Sequence, residues 1–122
     1  MTARLDAKAL AKRIERAAKK DRLLIAVAKS AMGRTGLQKF SKDLAKALKA
    51  EVVRTGYTPN SEISLFELRN DEVSLVLLVL RSDSEKIIAV EPTTDHEIGE
   101  IESNIYSANI NDVYVRLVSD IF

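Results

Sequence analysis

Leu23-Leu24-Ile25-Ala26-Val27-Ala28 places six apolar residues in a row between Asp21-Arg22 and Lys29-Ser30. How this stretch is read decides the fold. A run that is apolar on every side fits a buried helix or a buried strand, because periodicity separates only segments that are amphipathic. No Gly or Pro interrupts residues 1–32, and the segment before the run is strongly helical. Asp21–Met32 is therefore read as helix, continuous with the first or kinked near Asp21. Gly33 then ends it as a C-terminal cap, where a residue without Cβ takes a positive φ freely.

Outward from this run lie two amphipathic segments. Ala3–Lys20 is rich in Ala, Leu, Lys, Arg and Glu, which lose least in a helix. Ala7, Leu10, Ala11, Ile14 and Ala17 recur at helical spacing as its inner stripe, with Lys8, Lys12 and Arg16 on another face. Leu37–Ala50 repeats the pattern, with Leu37, Phe40, Leu44 and Leu48 inside and Lys39, Lys42, Lys46 and Lys49 as a second basic stripe. Gly33-Arg34-Thr35-Gly36 is the turn between. Were residues 23–29 a strand, this would be a strand–glycine turn–helix of the kind that cradles phosphate on backbone N–H groups. The nucleotide-binding loop ends in Gly-Lys-Ser/Thr, whereas this chain has Gly36-Leu37-Gln38.

After Ala50 the pattern becomes strand-like. Glu51–Tyr57, Ile63–Leu68, Val73–Arg81 and Lys86–Pro92 read as strands, with a loop at Thr58-Pro59-Asn60-Ser61 and a tight turn at Asn70-Asp71. Val73–Arg81 is the most apolar and belongs at the centre of the sheet. Thr94-Asp95-His96-Glu97 matches a capping box, and Ile98, Ile101 and Ile105 follow at helical spacing. Val113, Val115 and Leu117 alternate as a last strand. The expected fold class is α+β: one domain over residues 1–122, with basic N-terminal helices packed on a mainly antiparallel meander sheet, then a helix and a final strand.

The charge divides where helix gives way to sheet. Residues 1–50 hold 14 Lys+Arg and 4 Asp+Glu, net +10; residues 51–122 hold 5 and 14, net −9. Such asymmetry points to a polyanionic or acidic partner for the basic side. The chain has no cysteine, which removes disulfides, thiolate metal sites and cysteine nucleophiles. No apolar run approaches the ~20 residues that span a bilayer, and the first residues show no secretion signal. A cytoplasmic protein without membrane attachment is expected. His96 is the one histidine, placed in a helix's first turn, so no zinc site or His-based triad is expected. Cofactors and metals are expected to be absent.

From Leu37 onward the order of elements resembles the restriction-endonuclease-like nucleases: helix, three meandering strands, helix, strand. In Ile87-Ile88-Ala89-Val90-Glu91-Pro92-Thr93, Glu91 stands at that family's strand acid and Thr93 at its lysine position. The resemblance implies metal-dependent phosphodiester cleavage with Glu91 and either Glu72 or Asp71.

The sequence reading is a small, non-enzymatic binding protein. Lys8, Lys12, Arg16, Lys39, Lys42, Lys46 and Lys49 are its expected nucleic-acid contacts, because helical spacing of about 6 Å per turn makes each row a ladder for phosphates. Two alternatives stand beside it. One is a protein–protein interaction module (an immunity, inhibitor or assembly protein) with an acidic protein or a second copy of itself as partner. The other is a divergent nuclease.

Overall fold

The computed structural model describes residues 5–19, 22–57 and 62–92. Among these, two helices and five strands follow in the order α1 (Ala7–Ala17), β1 (Leu23–Ser30), α2 (Arg34–Leu48), β2 (Glu51–Tyr57), β3 (Ile63–Arg69), β4 (Ser74–Arg81) and β5 (Lys86–Pro92). The strands form one mixed sheet in the order β2-β3-β4-β1-β5. Two basic helices lie on a sheet whose β2-β3-β4 part is an antiparallel meander, so the α+β class stands, with β4 in the middle as expected. The helix around Ile98, Ile101 and Ile105, the strand at Val113–Val118 and His96 lie outside the described residues.

The apolar run is corrected from helix to strand. β1 lies between β4, to which it is parallel, and β5, to which it is antiparallel. Leu24 and Ala26 join the core beneath the helices, while Leu23, Ile25 and Val27 join a second cluster on the opposite face. A strand buried on both faces reads as a continuous hydrophobic run instead of an alternating one, and that is why no periodicity revealed it. The turn assignment shifts with it. Gly33 is the N-cap of α2, with an extended backbone and φ of −74°, not a left-handed C-cap.

A parallel neighbour cannot be reached by a tight turn, so the chain leaves β1 through α2, β2 and β3 before β4 returns beside it. α1 packs against α2, β5 and β1. Leu10 and Ile14 from α1, with Leu37, Phe40, Leu44 and Leu48 from α2, close over Leu24, Ala26, Phe66, Leu68, Leu75 and Leu77.

β4 and β5 are consecutive, yet β1 lies between them. The residues joining them, 82–85, must span two strand spacings, about 9.6 Å, across the C-terminal end of β1. Ser82 N–H donates to Ser30 O at 3.0 Å. The Glu85 carboxylate accepts from Ser30 Oγ (3.1 Å), Ala31 N–H (2.9 Å) and Leu5 N–H (3.3 Å). One side chain thus fastens the crossing loop to the β1–α2 turn and to the start of α1.

Two capping arrangements fix the helix ends. Asp6 Oδ1 accepts Lys8 N–H at 2.9 Å and caps α1. At the end of α2, Lys49 N–H reaches Lys46 O and Ala50 N–H reaches Ala45 O, the paired bonds of a Schellman motif. Lys49 holds the left-handed position at φ 54°. Asn70 secures the next turn, accepting Glu72 N–H and Val73 N–H at Oδ1 and donating from Nδ2 to Leu48 O.

Lys49→Gly is expected to raise unfolding stability by about 1 kcal/mol, since a side chain in the left-handed region costs roughly that much; urea denaturation measures it. Glu85→Ala is expected to lower stability by about 2 kcal/mol, because Ser30, which is fully buried, loses a charged acceptor. The same denaturation series measures this loss.

Candidate nucleic-acid interface

Amphipathic helices on a sheet turn their apolar stripes inward and so display whatever lies opposite. In α1, Leu10, Ala11 and Ile14 are buried, which leaves Lys8, Lys12 and Arg16 exposed on the outer side. In α2, Leu37, Phe40, Leu44 and Leu48 are buried, and Lys39, Lys42 and Lys46 are exposed, with Lys49 exposed just beyond the helix end. All seven expected contact residues therefore stand in solvent. Because α1 and α2 pack against each other on the same face of the sheet, the two rows belong to one layer. Among the described residues, no ion pair joins any of the seven to a carboxylate, whereas Glu67 is paired with Arg54 and Arg69. Residues 5–19 carry five basic and two acidic side chains, and residues 34–49 carry five and one, so both segments are net positive.

Between the rows runs a shallow groove of about 810 Å³, with Phe40 and Ala47 among its apolar lining and Lys8, Lys46, Asp6 and Asp43 around them. Lys8 and Lys46 belong to the rows as well as to this lining, where Asp6 and Asp43 offset them; the other five row cations are not part of the lining. The remaining arginines near the layer are engaged elsewhere. Arg34 lies over the Tyr57 ring at 4.4 Å, a cation–π contact, and Tyr57 in turn meets Phe66 edge-on at 6.1 Å. Arg13 Nη1 reaches Ile87 O at 3.5 Å.

The strand–turn–helix geometry at residues 23–36 is real, since β1 is a strand followed by Ala31–Gly33 and α2. Its N–H groups find partners inside the protein. Ala31 N–H donates to Glu85, and Met32 N–H donates to Ser30 Oγ at 3.0 Å. Two N–H groups of this turn are thus engaged within the protein.

The carboxylates named by the nuclease resemblance are not brought together. Glu91 on β5 pairs in register with Ile25, and Ile25 pairs with Val76. Asp71 and Glu72 precede Ser74, the first residue of β4. Two strand spacings across and four residues along place Glu72 roughly 16 Å from Glu91, whereas a divalent ion holds oxygen ligands at about 2.0–2.6 Å. Among the described residues there is no group of three or more His, Asp or Glu side chains able to hold a metal.

The sequence reading passed over Glu67. It is 6% exposed, next to Arg54 across the β2–β3 ladder at 3.8 Å and bonded to Arg69 at 2.8 Å. Two flanking guanidiniums answer the cost of burying its charge. The spacing Arg54…Glu67-Leu68-Arg69 carries this triad, but only the register shows that Arg54 and Glu67 face each other.

No known protein family and no curated protein matches this sequence. Among solved structures, the hypothetical protein BH1468 from Bacillus halodurans C-125 is similar over 70% of each chain, at 17% identity and a TM-score of 0.37. No helix among the described residues is long and apolar enough to cross a membrane.

Plasmid incubated with magnesium or manganese is expected to show the same mobility with wild type and with Glu91→Ala. Cleavage that disappears in the variant would restore Glu91 as a catalytic group.

Proposed function

We propose that this is a small, non-enzymatic cytosolic protein that binds nucleic acid through the outer faces of α1 and α2. One observation carries the reading: seven basic side chains, Lys8, Lys12, Arg16, Lys39, Lys42, Lys46 and Lys49, stand exposed on a single helical layer without carboxylate partners among the described residues. A solvated helix face needs no such concentration of one sign. Rows of one charge in one plane raise the local potential and attract polyanions at a distance, and each phosphate neutralised releases condensed counterions.

The test is the salt dependence of binding to fluorescent DNA, read by anisotropy between low and moderate ionic strength. Wild type is expected to bind with a steep negative slope of log K against log salt. Replacing Lys39, Lys42 and Lys46 with Gln is expected to reduce that slope by about 3, following roughly 0.9 per phosphate contact on duplex DNA. An absence of binding at low salt, or a slope indifferent to the three substitutions, defeats the proposal.

A further inference from the structure

The two rows differ from a general basic patch in their geometry, and that geometry selects a form of nucleic acid. Resting on the reading of the helical layer as a nucleic-acid surface, we infer that it grips the two phosphate backbones of a duplex across one groove, without reading bases. Packed helices run about 8–10 Å apart, so the α1 and α2 rows are separated by roughly that distance. A B-form groove is about 6 or 12 Å wide, and lysine side chains reach far enough to adjust to either. Along each row, successive cations three or four residues apart rise about 4.5–6 Å, between the axial advances of one and of two nucleotides on one strand at about 3.4 Å each. A duplex offers two rails to two rows. A single strand offers one.

The residue types weigh against the other modes. Base edges are read by Arg or Lys at guanine and by Asn or Gln at adenine; the rows hold no Asn or Gln and, apart from Arg16, are lysine, a point charge without the planar fork that fixes a bidentate pair. Arg34 and Arg13 are occupied by Tyr57 and by Ile87 O. Single-strand binders stack bases on exposed aromatic rings. Among the described residues, Phe40 and Phe66 are buried in the core and Tyr57 is half-buried with Arg34 over its ring.

The experiment compares a 20-base-pair duplex with a 20-nucleotide oligothymidine at equal salt, using wild type and two variants. One variant carries Lys8→Gln, Lys12→Gln and Arg16→Gln; the other carries Lys39→Gln, Lys42→Gln and Lys46→Gln. All six positions are exposed, and circular dichroism confirms that each variant is folded. The duplex is expected to bind at least about 10-fold tighter than the single strand, as two rails against one row imply. Loss of either row is expected to bring duplex affinity down to the single-strand level, and A·T-rich and G·C-rich duplexes should agree within about threefold. Equal affinity for single strand and duplex, or sensitivity to one row alone, overturns the inference while the proposed function stands. Equal displacement of both oligonucleotides by heparin at matched charge overturns it as well, since a flexible polyanion has no paired rails. Discrimination beyond tenfold between the two duplex compositions overturns the claim that bases go unread. No binding to any of these at low salt removes the proposed function together with the inference.

Discussion

The structure depends on the burial of β1 on both faces. Leu24 and Ala26 supply the floor beneath the helices, while Ile25 and Val27 supply the opposite cluster. Had Leu23–Ala28 formed a helix, only one side of it could have met the core, and the rest would have faced water at about 25 cal/mol per Å² of apolar surface. A strand between β4 and β5 hides every side chain. The rest follows from that placement. Parallel pairing with β4 demands a crossover, the crossover supplies α2, and α2 with α1 roofs the sheet.

The position of β1 also explains Glu85. A strand inserted between two consecutive strands forces their connection across its end, where the last N–H groups of β1 and the turn into α2 would otherwise face solvent. The carboxylate satisfies Ser30, Ala31 and Leu5 at once. This is the same chemistry by which helix N-termini and turns hold phosphate, here completed by the protein itself. In this chain the carboxylate is a clasp that ties the crossing loop to the β1–α2 turn and to the start of α1.

Much of this was legible in the sequence because amphipathic segments report their environment. The spacing of Leu37, Phe40, Leu44 and Leu48 gave α2 its inner face, and the same spacing put Lys39, Lys42 and Lys46 outside. The apolar density of Val73–Arg81 marked the central strand, and Asn70-Asp71 marked the turn. β1 was not legible, because a segment buried on all sides has no pattern to contrast with. Strand order was not legible either, since the insertion of β1 between β4 and β5 is a long-range choice. That choice also sets Glu91 two strand spacings from β4, a separation that consecutive strands would not suggest. Glu67 was visible as a strand residue, but its place opposite Arg54 depends on a bulged register between Val52 and Arg54.

The division of charge along the chain follows from the same layering. β1, β3 and β4 are largely buried, so most of the exposed cations among the described residues stand on the outer sides of the helices. The carboxylates of residues 51–92 fall at strand ends, turns and the far face, where Glu91 shares its side of the sheet with Ile25. Helix layer and sheet together separate that face from the lysine rows by more than the ~10 Å over which salt at 0.1 M screens charge. Among the described residues, the carboxylates of the strand part therefore lie apart from the lysine rows. A net charge of +1 thus conceals two rows of exposed cations, and their place side by side is set by the packing of α1 beside α2 rather than by composition.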